Sequence, residues 1–176
     1  MCRAMVGERG SVHATCVASE GLGLLLRGPS GAGKSDLALR LIDGGAELVA
    51  DDQVLLERRG DQVVASAPAA LLGLIEMRGF GPVLLPCRPE VALGLVVDLV
   101  ARQAVERVPE PARIRLCGVA LPHLRLHAFD AATPAKLRLC ARMARDGRLL
   151  PVSHVSFVAR SLVDGPLVDH ASVDRS

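Results

Sequence analysis

The chain of 176 residues is 50% hydrophobic, with no Trp or Tyr, three Phe and a formal net charge of +2. That length supports one domain with a sizeable core, which Leu, Val, Ala and Ile must build. The weak charge and the scarcity of aromatic rings exclude a basic or base-stacking face for nucleic acid, and no apolar run reaches the ~18 residues of a membrane helix. Five scattered cysteines (Cys2, Cys16, Cys87, Cys117 and Cys140) lack any C-x-x-C spacing. Neither a zinc site nor a disulfide framework is expected, and a reduced cytoplasm is the simplest setting. The N-terminus shows no apolar run behind a basic patch, so no signal peptide is expected.

In chain order, residues 11–18 read as a strand, and Ser19-Glu20-Gly21 as a tight turn into a second strand, Leu22 to Arg27. The two are expected to pair as a hairpin. Lys34 to Asp43 has helical periodicity, with Leu37, Ala38, Leu41 and Ile42 on one face and Gly44-Gly45 as the C-cap. Glu47 to Asp52 is a strand ending in two acids. Val54–Glu57 and Gln62–Ala65 flank Arg58-Arg59-Gly60-Asp61 as a further hairpin. Residues 66–75 allow a short helix. Residues 76–90, with three prolines and two glycines, read as an ordered loop. Val91–Val100 is a strand, Arg113–Leu126 holds one or two more, and Pro134–Arg145 is a helix with Arg138, Arg142 and Arg145 on one exposed side. Residues 147–176 read as a polar tail around an apolar patch, Val155–Val163. The division expected is 1–150 as one catalytic domain and 151–176 as a tail that could form an interface between subunits. Few helices among many hairpins make this an α/β chain with a mixed sheet, unlike the regular strand–helix alternation of a doubly wound nucleotide kinase.

Gly28-Pro29-Ser30-Gly31-Ala32-Gly33-Lys34-Ser35 fits the nucleotide-binding P-loop, G-x-x-x-x-G-K-[ST] (Walker A), between the strand and the helix that the motif requires. Glycines let backbone N–H groups turn inward around phosphate oxygens, and the helix N-terminus adds partial positive charge beneath them. Lys34 would reach the β- and γ-phosphates of ATP, and Ser35 would bind Mg²⁺. A kinase also needs carboxylates for the metal and for the attacking hydroxyl. Asp51 and Asp52, at the end of an apolar strand, are the best candidates. Successive strand residues face opposite ways, so only one of them should aim at the γ-phosphate unless the strand ends there. Asp51 is read as the base, and Asp52 as support through metal or water. Glu76 and Arg78, hemmed by glycines, could add a metal ligand and a phosphate or substrate contact, or form an ion pair within the loop. His13 could reach the phosphates through its strand's pairing. A lone histidine on an apolar strand is more often a packed core residue. His123, His127, His154 and His170 show no ligand spacing.

In this order the residues resemble the catalytic domain of the HPr kinase/phosphorylase family: His13, the G-x-S-G-x-G-K-S loop, Leu48-Val49-Ala50-Asp51-Asp52, then Ile75-Glu76-Met77-Arg78-Gly79-Phe80-Gly81 against a family L-E-x-R-G-x-G. The likeness covers residues 10–130 and suggests the short, proteobacterial form made of the C-terminal catalytic domain. The resemblance implies a phosphoenolpyruvate-carboxykinase-like P-loop fold, often hexameric. It implies ATP and Mg²⁺ as cofactors and the phosphocarrier protein HPr, of the sugar phosphotransferase system, as partner. The loop from Gly28 to Ser35 would bind the nucleotide, with Ser35, Asp52 and Glu76 helping the metal. Asp51 would deprotonate the target serine, or protonate it in reverse as phosphate attacks phosphoserine and pyrophosphate forms. His13 would contact the phosphate, and Lys34 would act with it in catalysis. One departure stands out. The family's P-V-x-x-G-R-N-L element is replaced around residues 127–136, where only Lys136 could supply the missing arginine's charge, without its bidentate geometry. Kinase activity is therefore expected above phosphorylase activity. Other readings are a small-molecule P-loop kinase and an ATP-binding regulator with weak turnover. A GTPase or ABC-type ATPase lacks its N-K-x-D or L-S-G-G-Q segment here.

Overall fold

The computed structural model describes residues 9–149. Strand β1 (Arg9–Ser19) turns through Glu20 and Gly21, both at positive φ (54° and 82°), into β2 (Leu22–Arg27). The two pair antiparallel from Ser19↔Leu22 to Ala14↔Arg27. Two left-handed residues match the twist of the strands they join, as in a primed hairpin turn. The P-loop follows, then helix α1 (Lys34–Asp43). Next come β3 (Glu47–Ala50), the hairpin β4 (Gln53–Arg59) and β5 (Gln62–Ser66), and a 3-10 turn at Ala69–Leu71.

The region 76–90, expected as a loop, contains a further hairpin: β6 (Leu74–Met77) pairs with β7 (Gly81–Leu84). Pro82 is tolerated because this two-stranded sheet has only edge strands, where a missing N–H need not break a ladder. The chain continues through β8 (Glu90–Leu99), β9 (Ala112–Leu116), β10 (Val119–Leu126) and helix α2 (Thr133–Arg145). Arg142 and Arg145 lie on the exposed side, as expected, and both reach Glu20. Arg138 instead lies half-buried over Gly44 at the end of α1. The Val155–Val163 patch and the 151–176 tail lie outside the described residues.

Two long strands organise the layers. β1 pairs with β4 through Arg9–His13, then with β2 and β3 through its C-terminal half. β8 pairs with β5 at its start, then runs parallel to β2 and β10. The pairings β2–β1–β4–β5–β8–β2 therefore close into a ring. Inside it lies one apolar cluster that includes Ala14, Cys16, Leu25, Val54, Leu56, Val63 and Val96. The other face of the β2–β8–β10 layer packs a second cluster against the two helices, including Leu24, Leu26, Leu37, Leu41, Leu95 and Leu137. Burial of each such leucine contributes roughly 1.5–3 kcal/mol, so the loop and the strand-end acids stand on a well-supported floor.

Strands β2, β8 and β10 run parallel, and β3 shares their direction because β2 and β3 are both antiparallel to β1. The P-loop, Asp51-Asp52 and the loop after β10 thus leave one edge of the sheet, the edge where ligands bind in open α/β sheets. Arg27 grips Asp98 of β8 by two bonds (2.8 and 2.9 Å), and His123 of β10 meets the same carboxylate at 2.9 Å. This largely buried set ties the three parallel strands together just below the site.

Candidate active site

Gly31 and Gly33 adopt left-handed φ (79° and 89°), and Ala32 N–H closes a turn on Pro29 O (3.1 Å). At Gly33 a side chain has no room: a Cβ would stand 2.8 Å from both Ala128 Cβ and Phe129 Cζ. Lys34 is only 8% exposed, and its Nζ donates to the carbonyls of Gly28 (3.0 Å) and Pro29 (3.2 Å), across the mouth of the loop. Burial draws its ammonium below the usual lysine range, partly offset by the charges of Asp51 and Asp52.

Asp51, 5% exposed, is the hub. Its carboxylate accepts the Thr15 hydroxyl (2.6 Å), the Ser35 hydroxyl (3.0 Å to each oxygen) and the backbone N–H of Glu76 (3.1 Å). Three elements thus converge on one carboxylate: β1, the start of α1 and β6. Thr15 carries no motif. Its signal in the sequence is only that it occupies the same face of β1 as His13, two residues away.

β3 ends at Ala50, so the expected alternation does not apply to both acids. Gln53 N–H bonds Asp51 O (2.8 Å), making a three-residue turn around Asp52, whose φ is +65°. A non-glycine residue in this region costs of order 1–3 kcal/mol, and such strain gathers at functional sites. The turn sets Asp52 beside His13, with Nδ1 3.0 Å from both the main-chain carbonyl and Oδ1 of Asp52. Both side chains are exposed (53% and 76%), so His13 is not the packed core residue that a strand histidine usually is.

His13, Ser30, Gly31, Gly33, Lys34, Ser35, Asp51, Asp52, Glu76 and Arg78 line one cleft, together with Asp36, Leu39, Met77 and Phe129. The structure therefore gathers nearly all the residues singled out in the sequence. It joins Ser35 to Asp51, while Asp52 and Glu76 face the same cleft without bonding Ser35. Among the described residues, no group of three or more His, Cys, Asp or Glu is arranged as a metal cage. Lys136 is exposed on α2 and does not line the cleft; Phe129 does.

A glycine loop between a parallel strand and a helix, its serine held by a strand-end aspartate, defines a P-loop domain, here on a mixed sheet with two helices. Residues 4–127 match the model of the HPr Serine kinase C-terminal domain, and the chain belongs to that family. It is 35% identical over 134 residues to an HPr kinase/phosphorylase of Lactobacillus delbrueckii, covering 69% of this chain and 42% of that protein. To the HPr kinase/phosphorylase of Lactiplantibacillus plantarum it is 47% identical over 77 residues, 43% of this chain and 24% of the relative. The chain thus spans less than half the length of these curated relatives. The Hpr(Ser) kinase/phosphatase of Coxiella burnetii shares the fold, with a TM-score of 0.70 at 23% identity over 78% of this chain and 97% of that one. No helix among the described residues is long and apolar enough to cross a membrane.

Proposed function

We propose that residues 1–150 form the catalytic unit of an ATP-dependent kinase that phosphorylates a serine of HPr, in the cytoplasm, and so regulates the phosphotransferase system. The observation that carries this reading is the convergence of Ser35 and Glu76 N–H on Asp51, next to an exposed Asp52–His13 pair. It is the division of labour that phosphoryl transfer needs, one carboxylate on the metal side and one on the acceptor side.

Relative to the expected roles, Asp51 as base and Asp52 as support through metal or water, this geometry favours an exchange. Asp51 is occupied by three donors and holds Ser35, which suits a metal-positioning carboxylate. Asp52 is exposed and free to meet a protein serine, with His13 orienting it. The donors available for Mg²⁺ are a hydroxyl and carboxylates, and Mg²⁺ commonly takes one or two carboxylates plus substrate phosphates rather than a full protein cage. Ser35 and Asp51 would hold it, with Glu76 at hand. When bound, it would neutralise charge on the β- and γ-phosphates. The loop N–H groups and Lys34 orient and stabilise the phosphates, Arg78 contacts the transferred group or the acceptor, and Asp52 takes the serine proton. In reverse, phosphate would attack the phosphorus of phosphoserine, pyrophosphate would form, and Asp52 would return the proton to the departing serine oxygen. The absence of Lys136 from the cleft supports the forward direction as the stronger one.

The test is to mix the protein with Mg²⁺-ATP and an HPr from the same organism, beside a Ser→Ala version of that HPr, and follow added mass. A serine-dependent gain of one phosphoryl group, abolished by Lys34→Ala, is the expected result. Nucleotide binding with no transfer would favour a nucleotide-responsive regulator instead.

A further inference from the structure

The walls of the cleft differ in character. Its lining includes His13, Asp52, Glu76 and Arg78, the polar groups suited to transfer. At Gly33 the wall is the ring of Phe129. A nucleotide anchored by its phosphates must place its base somewhere along this cleft. A base gains from stacking on an aromatic π-face. The ring is 56% exposed; Phe80 is exposed as well, at 81%, but of these two rings only Phe129 lines the cleft.

The backbone that presents the ring is held from several sides. Ala128 is fully buried, and its carbonyl accepts Arg40 Nη2 from α1. His127 Nδ1 meets Val100 O (3.0 Å), joining the loop after β10 to the loop after β8. Thr133 Oγ1 donates to His127 O (2.8 Å), and Asp130 pairs with Arg102 at 3.1 Å. The His127 ring packs edge-on against Phe129, with centroids 5.6 Å apart at 67°. That contact restrains the ring. The loop also follows a strand parallel to the P-loop strand, at the same carboxyl edge, where the crevice of such sheets takes a nucleotide.

From this we propose that Phe129 is a stacking platform for the base of the nucleoside triphosphate whose phosphates the P-loop holds. The inference rests on the P-loop reading above, and inorganic tripolyphosphate separates the two, because it carries the phosphates without a base. Calorimetric titrations of Mg²⁺-ATP and Mg²⁺-tripolyphosphate into wild type and Phe129→Ala are compared. Loss of one base–aromatic stack should weaken ATP by roughly 5- to 100-fold. Tripolyphosphate affinity should stay within about two-fold, a ratio worth only ~0.4 kcal/mol. Phe129→Trp supplies the chain's sole tryptophan, and its emission should change on adding ATP but not tripolyphosphate. Equal weakening of both ligands would make Phe129 a support for Gly33 and overturn the platform. Unchanged ATP affinity with a raised KM for the acceptor protein would also overturn it, by moving the ring to the protein contact. Wild type that binds neither ligand would overturn the P-loop reading and the platform together.

Discussion

Asp51→Asn separates a carboxylate that positions the metal-side serine from one that serves as base. In the native site one oxygen accepts Thr15 and Ser35, and the other accepts Ser35 and Glu76 N–H. An asparagine keeps one acceptor oxygen and replaces the other with an NH₂ donor. With its oxygen towards Thr15, the amide faces Glu76 N–H, donor against donor; the Ser35 hydroxyl can rotate to accept. One partly buried N–H loses its acceptor, at about 1–3 kcal/mol, and the other bonds lose the extra strength of a charged acceptor. The sum is roughly 2–4 kcal/mol, a fall in Tm of roughly 4–16 °C for a domain of this size. Removing the charge next to Ser35 should also weaken Mg²⁺-ATP by at least ten-fold, so that transfer and affinity fall together. Thermal melts and Mg²⁺-dependent nucleotide titrations of wild type and variant measure both. A variant with unchanged Tm and Mg²⁺-ATP affinity within a few-fold, yet no transfer, would refute this reasoning and restore Asp51 as the base.

Asp52→Asn should behave in the opposite way. Its side chain is exposed and meets His13, so Mg²⁺-ATP affinity should hold within a few-fold while transfer to serine falls by about 10²–10⁴-fold. Single-turnover phosphorylation at saturating ATP checks this, and transfer within a few-fold of wild type would remove Asp52 from the chemistry. A third prediction concerns the closed ring of strands. Cys16 is completely buried, and burial pushes its thiol far above the usual cysteine range. Native protein treated with iodoacetamide at pH 8 should leave Cys16 unmodified while unfolded protein is alkylated there, as peptide mass mapping would show. Rapid native labelling would mean that the ring opens.

Much of the local structure is legible along the chain. The P-loop, the helix from Lys34 to Asp43, the hairpins around Gly21 and Gly60, and the strand into Asp51-Asp52 each depend on residues close in sequence, whose periodicity and turn chemistry act within a few positions. The β6–β7 hairpin was hidden because prolines and glycines argue for a loop, and only pairing in a two-stranded sheet accommodates them.

The amino-acid sequence alone determines that this chain builds a glycine loop of the P-loop pattern between a strand and a helix, because glycine conformations and strand–helix alternation are local properties. Which groups surround each acid is decided by tertiary structure. Thr15 meets Asp51 from 36 residues away and Glu76 N–H from 25. The end of β3 at Ala50 releases Asp52 from strand alternation into a turn against His13. The parallel course of β2, β8 and β10 sets Phe129 on Gly33. Each of these contacts arises from the packing of distant segments at one sheet edge, which no spacing within the chain encodes.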